Sequence, residues 1–203
     1  MAQEFKQPSL EQVQEAFRNA GSNVTIRCNT SLLRTLYGDA VDVDNRPVTE
    51  RIKSFEDALD ELEVRAANGD NTAKMLYDDW HNVTTDSDDL IAFLKLRIVC
   101  AALNEGWEPK HTEDEVRYYP WHWLYTQDEL NDMREEEKIN RCMLPTGEYQ
   151  TEYAGFGSAH SCGAPSATSA FFGSRLCLRS DELAVYCGKQ FIKLWADFKL
   201  IHK

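Results

Sequence analysis

The sequence predicts an α+β fold, helical to about residue 110 and mixed over about 111–203, with a long helix closing the chain. Three observations predict it. Apolar residues recur at helical spacing through the first half; a dense aromatic run follows at Tyr118–Tyr125; helical spacing returns after Ser180. No internal repeat and no Gly/Ser linker interrupts the 203 residues, so one domain over 1–203 is the simplest organisation.

The elements follow in order. Ser9-Leu10-Glu11-Gln12 has the spacing of a capping box, and Leu10, Val13 and Phe17 continue a helix that Gly21 stops. Val24–Cys28 reads as a short strand and Asp39–Pro47 as a polar connection. A second capping box, Ser54-Phe55-Glu56-Asp57, opens a helix with Phe55, Leu59 and Leu62 on one face, ending near Asn68-Gly69-Asp70. A short helix carries Met75, Leu76 and Trp80.

Ser87–Asn104 is the clearest helix. Asp88 and Asp89 lie in its first turn, where the helix dipole favours negative charge. Ile91, Leu94, Ile98, Ala101 and Ala102 form its stripe, and Leu90, Phe93 and Leu96 widen it enough to place the helix in the core. Tyr118–Tyr125 reads as a strand, and Thr126-Gln127-Asp128-Glu129 caps an acidic helix through Glu137. A strand at Arg141–Leu144 precedes a Pro145-Thr146-Gly147 turn. Arg175–Leu178 reads as a short strand. Ser180 caps the last helix, whose buried face is Ala184, Cys187, Phe191, Leu194 and Phe198, with Gly188 marking a close approach.

Composition narrows the function classes. Hydrophobic residues at 42% and aromatics at 11% fit a folded protein. A net charge of −12 and no Lys/Arg cluster argue against binding nucleic acid through its phosphates. The opening Met1-Ala2-Gln3-Glu4-Phe5-Lys6 is polar, and the apolar run Leu90–Leu103 is broken by Lys95 and Arg97; neither a signal peptide nor a membrane span is expected, which points to synthesis in a cytoplasm. Six cysteines without a C-x-x-C pair are expected as free thiols.

Catalytic patterns are weak throughout. His160-Ser161-Cys162 invites a metal or nucleophile reading, but His111, His122, Cys142 and Cys177 offer only distant company, without ligand spacing on one element. No signature of a Cys-His hydrolase surrounds Cys162. Glu135-Glu136-Glu137 and Asp86-Ser87-Asp88-Asp89 lack the glycine and terminal glutamate of a calcium loop and read as a solvated face and a helix start. There is no phosphate loop and no nucleophile elbow. No catalytic residue, metal or cofactor is assigned.

Three stretches taken together carry a resemblance. They are Ala102-Leu103-Asn104-Glu105-Gly106-Trp107, Tyr119-Pro120-Trp121, and Gly173-Ser174-Arg175-Leu176-Cys177 continuing into Leu183–Phe191. The set resembles a family of uncharacterised proteins of gut Bacteroidales and their phages, over roughly Arg51–Ile201. That resemblance implies a phage-type genomic setting and no mechanism. The stretch before Gly173-Ser174-Arg175-Leu176 also resembles the variable regions of target proteins of diversity-generating retroelements, which end in a C-type-lectin-like fold. The resemblance implies such a fold for the mixed half, although the long helix after Leu178 departs from its usual ending.

Tyr153–Ser174 contains no Lys, Glu, Gln, Met or Trp. Those five are also the residues that cannot arise when the first two positions of a pyrimidine-ended Asn codon are randomised. Tyr and Phe supply rigid contact area while Ser, Gly and Thr supply adaptable hydrogen bonding, the mixture that paratopes use. The expectation is a non-enzymatic, phage-type binding or virion-associated protein presenting 153–174 to a protein or glycan surface. Tyr153, Phe156, His160, Pro165, Phe171 and Phe172 are its ligand contacts. The competing readings are a capsid- or tail-associated assembly subunit, with homo-oligomer or virion neighbours, a Cys162/His160 hydrolase, and rings that simply fill the core.

Overall fold

A computed structural model of the chain describes Ser9 and residues 46–110, 112, 114–165 and 174–203. The expected helix after Ser9 and strand at Val24–Cys28 lie outside these residues, as do Phe171 and Phe172.

The helical half begins with α1 (Val48–Arg51) and α2 (Phe55–Ala67). The Ser54 capping box forms: Ser54 Oγ accepts from the Asp57 amide at 3.1 Å, and the Asp57 carboxylate accepts from the Ser54 amide at 2.9 Å. Helix α3 (Asn71–His81) starts at Asp70, which accepts from the Ala73 amide and also holds Arg65. Helix α4 (Asp88–Leu103) packs against both α2 and α3. Its buried positions are Ala92, Leu96, Ile98, Val99, Cys100, Ala102 and Leu103, whereas Leu90 is exposed and Ile91 and Leu94 are half-buried. The inward seam is thus rotated from the predicted stripe. A helix apolar nearly all round has no unique stripe in its sequence, and its neighbours choose the seam. Each fully buried Leu or Ile here stabilises the fold by about 1.5–3 kcal/mol.

The mixed half is built on strand β1 (Val116–Tyr125). The Thr126 capping box forms and starts α5 (Gln127–Asp132), but extended backbone at Met133 and Arg134 ends that helix before α6 (Glu135–Asn140) begins. The single acidic helix through Glu137 is therefore two short ones. Of the expected Arg141–Leu144 strand only Leu144 pairs; β2 is Leu144–Pro145, because Cys142 takes a positive φ of 49° that no strand continues. Strand β3 (Gly155–Pro165) lies between its two neighbours, giving the antiparallel order β1-β3-β2. Arg175–Leu178 is not a strand: Ser174–Leu176 is a 3₁₀ turn, and only Leu178 exchanges backbone hydrogen bonds with Tyr118, at 2.8 and 3.0 Å.

The closing helix is present in two segments, α7 (Asp181–Gln190) and α8 (Ile192–Lys199), jointed at Phe191. Ser180 caps it on the Leu183 amide as expected. Both segments lie against the sheet, and α8 also packs on α4, so one core joins the halves through Leu96, Leu103, Phe156, Leu178, Ala184 and Trp195. The Tyr149 hydroxyl donates to Asp197 at 2.6 Å and fastens the loop before β3 to α8. Residues 46–203 thus form an α+β unit, helical first and mixed second. Among the described residues no helix is long and apolar enough to cross a membrane. The five described cysteines are free thiols.

Candidate recognition face

Period-two alternation divides β1 between two environments. Tyr118, Pro120, His122 and Leu124 share one face; Arg117, Tyr119, Trp121, Trp123 and Tyr125 share the other. On β3 the register slips between Trp121 and His122, since His160 pairs with Trp121 while Ser158 pairs with His122. Ala159 is the extra residue of this bulge. It re-aims the strand, so Gly155 and Gly157 before it, and His160 and Cys162 after it, all lie on the tryptophan side.

Helices α7 and α8 close the first, inner face. A side chain at Gly188 would place its Cβ 2.8 Å from Pro120 Cβ, so helix and strand meet as closely as a hydrogen atom allows. His122 stacks on Phe156 with ring centroids 4.7 Å apart and leans on Trp195 at 5.7 Å. Its Nε2 donates to the Gly188 carbonyl at 3.1 Å, which leaves Nδ1 to accept from Lys199 Nζ at 3.0 Å. Burial first, and the Lys199 charge second, push His122 down to about 3. Burial also pushes Lys199 down to about 8. Its Nζ stands 5.1 Å from the centre of the Trp195 ring, a cation–π contact.

The outer face is covered at one end. Met143 and Leu130 lie over Gly155, and Met143 and Tyr125 over Gly157; a Cβ at either glycine would come within 3.0 Å of Met143. Arg141 donates to the Tyr125 hydroxyl at 2.9 Å and fixes that border. Past the glycines the cover given by described residues thins, although Trp121 is still half-buried and its indole Nε1 is buried. Trp123 is 49% exposed, Trp121 touches it edge-on at 5.9 Å, and the exposed His160 ring stacks on Trp121 at 5.8 Å. The next outward residues of β1, Tyr119 and Arg117, are buried again. The result is an open aromatic window framed by closed sheet.

The sequence-assigned contacts fall unevenly on this frame. His160 is in the window. Tyr153 is 37% exposed just before β3, its carbonyl accepting from Thr146 Oγ1. Pro165 ends β3 opposite Val116. Phe156 is a correction: it is 3% exposed, pairs with Leu124 and Leu144, and faces inward onto His122, so it is a core residue and no contact. Its position before the bulge sets that direction. Trp121 and Trp123 are not among the assigned contacts: the aromatic run Tyr118–Tyr125 could stack sugars or bases but reads first as a half-buried strand, and the strand has this second, less covered face.

Cys162 and His160 share the outer side, but neither has a hydrogen-bonding partner among the described residues. Ser161, between them, faces inward and donates to Asp181. Among the described residues no three His, Cys, Asp or Glu side chains stand where they would hold a metal. In comparison with known proteins, no family model, no curated sequence and no solved structure matches this chain.

Proposed function

We propose that the chain is a non-enzymatic binding protein of the phage type, carried on a virion or acting as a free module, that presents the outer half of β3 and residues up to Ser174 to a protein or glycan surface. One observation carries this reading: exposed Trp123 and His160 flank the half-buried Trp121 in a chain of ring contacts, on a sheet face to which the stretch of small and aromatic residues contributes β3. Flat aromatic rings give contact area at low entropic cost, and they suit the faces of sugars as well as protein side chains. Tyr153 and His160 remain contacts, Trp121 and Trp123 join them, and Pro165, Phe171 and Phe172 continue the face in sequence. A lectin-like use of the mixed half needs only this face.

The experiment is a glycan array probed with the wild-type protein, with Trp123→Ala, and with the double variant Phe171→Ala/Phe172→Ala. Binding of one glycan class, lost in both variants while the thermal midpoint stays put, is the expected result. A large fall in the midpoint of the phenylalanine variant would show core rings and sink the proposal for 171–172. Coding sequences of near-identical genes supply a second test: substitutions should concentrate at Asn-type codons between Tyr153 and Ser174.

The assembly reading rests on β1 being an edge strand with Val116 and Trp123 exposed. Pro120 in its middle weakens strand addition from a neighbouring chain, because proline brings no N–H to a new ladder. Light scattering after size exclusion separates the two, since an assembly subunit forms stable higher oligomers.

A further inference from the structure

Most described arginines are engaged, Arg134 on the open surface being an exception. Arg51 holds Glu61 and Glu105, Arg65 holds Asp70, Arg141 holds Glu137, and Arg179 holds Glu105. That is the expected state of a protein with 34 acidic and 22 basic side chains. Arg97 and Arg175 are different. Neither makes a hydrogen bond or an ion pair with another described residue, and both line one cavity of about 430 Å³, Arg97 half-buried and Arg175 exposed at its mouth. Arg97 projects from the middle of α4, and Arg175 from the 3₁₀ turn that precedes α7. Burial, and next the charge of Arg175, push Arg97 below the ordinary guanidinium range, while Asp79 acts in the opposite direction from a distance. Two like charges facing one partly desolvated space repel each other.

The rest of the lining gives the ligand a shape. Beyond α4, Glu105 and Gly106 take positive φ values of 48° and 87°, and the Trp107 amide donates back to the Asn104 carbonyl at 2.9 Å. This turn sets Trp107 in the cavity wall, with Leu76, Ala101 and Pro109 as its other apolar surfaces. Asn104 is immobilised by bonds to the Cys177 carbonyl and the Arg179 amide, so the wall is rigid. Glu108 is the one carboxylate in the lining and is exposed. It serves as an acceptor for a ligand hydroxyl.

We propose that this cavity binds a nucleoside monophosphate, with the dianionic phosphate between Arg97 and Arg175, the base on Trp107, and a sugar hydroxyl on Glu108. Guanidinium groups match phosphate oxygens in charge and planar geometry. Two of them balance one phosphate monoester, and a cavity of this size lies in the range that encloses small ligands. Bare phosphate would leave the Trp107 wall uncovered, and a bare nucleoside would leave both cations unpaired. This site is independent of the aromatic window.

The test is calorimetric titration of the full chain with AMP, GMP, CMP and UMP separately, with inorganic phosphate and adenosine as controls. At least one monophosphate should bind, more tightly than phosphate and far more tightly than adenosine, and more weakly as ionic strength rises. Arg97→Gln and Arg175→Gln should each weaken it by about tenfold, the loss expected for one charged hydrogen-bonding group. Trp107→Leu should weaken the nucleotide and leave phosphate binding unchanged. Without ligand the arginine variants should melt at or above the wild-type temperature, because each removes a repulsion and breaks no bond. Absence of binding by all four nucleotides overturns the proposal. So does undiminished binding in the Arg97→Gln/Arg175→Gln double variant, or a marked fall in ligand-free melting temperature of either single variant.

Discussion

The two faces of the β1–β3 pair are made by the same alternating residues, yet they meet opposite conditions. On the inner face, Pro120 touches Gly188, and His122 is held between Phe156, Trp195, Lys199 and the Gly188 carbonyl. On the outer face, Trp121, Trp123 and His160 make ring contacts among the described residues only with one another. Hydrophobicity alone would reverse the assignment, since two tryptophans face outward while a histidine and a lysine lie inside. What decides is partnership. His122 uses both ring nitrogens, one on the Gly188 carbonyl and one on Lys199, and stacks on rings, whereas Trp123 stays half in water. Large rings left open beside a closed border are what a binding face requires.

This comparison breaks if the inner face is not the structural one. Phe156→Ala removes a ring that His122 stacks upon, and a buried phenylalanine truncated to alanine costs about 3–5 kcal/mol. Urea unfolding measures it, and a loss near zero would return Phe156 to the contact set. The next largest effect is a pH dependence. Lys199 is pushed down to about 8 by burial, from an ordinary value of 10.5. Below pH 8 both native and unfolded states carry the proton. Between pH 8 and 10.5 the unfolded state binds it more, so stability rises with pH by about 1.4 kcal/mol per unit and levels off above the window. The group is mostly buried, so solvent screens little of this. Lys199→Met should flatten that rise relative to wild type in urea titrations at pH 8 and 10. His122 works in the acid range with the same sign. Its depressed value makes stability fall as pH drops from 6.5 toward 3, because the unfolded imidazole takes a proton that the native one refuses.

Much of the scaffold was legible. Ser54, Thr126 and Ser180 each accept the amide that their capping pattern predicts, since a cap is a local bond written in four consecutive residues. Gly188 announced its close approach in the same way. What local pattern could not supply was direction. The bulge at Ala159 exchanges the faces of β3 through one inserted residue with no distinctive side chain. It places Phe156 inside and His160 outside although the two read alike in a stretch of small and aromatic residues. The joint at Phe191 and the break at Met133 likewise depend on what the helices pack against. Arg97 and Arg175 lie 78 positions apart, so nothing short of the fold brings them to one cavity.

The smaller effects sharpen the contrast between faces. Gly188→Ala would gain about 1 kcal/mol of helix propensity on an open helix surface. Here the new methyl meets the Pro120 ring at 2.8 Å, Ser158 Oγ at 3.4 Å and His122 Nε2 at 3.5 Å, and a proline ring within a strand cannot swing aside. Overpacking of this kind costs about 1–3 kcal/mol, so after the propensity gain a net destabilisation of up to about 2 kcal/mol is expected in urea unfolding. A gain in stability would mean that helix and strand stand further apart than described. Trp123→Ala on the outer face should move stability least, by about 0.5 kcal/mol or less, because half of the ring is already in water and its packing partner Trp121 remains in place. Measured side by side, a near-silent tryptophan and a costly glycine on the same sheet would establish that the larger side chain does no structural work there. If Trp123→Ala instead unfolds the protein as Phe156→Ala does, the outer face is a second core and its rings have no ligand to meet.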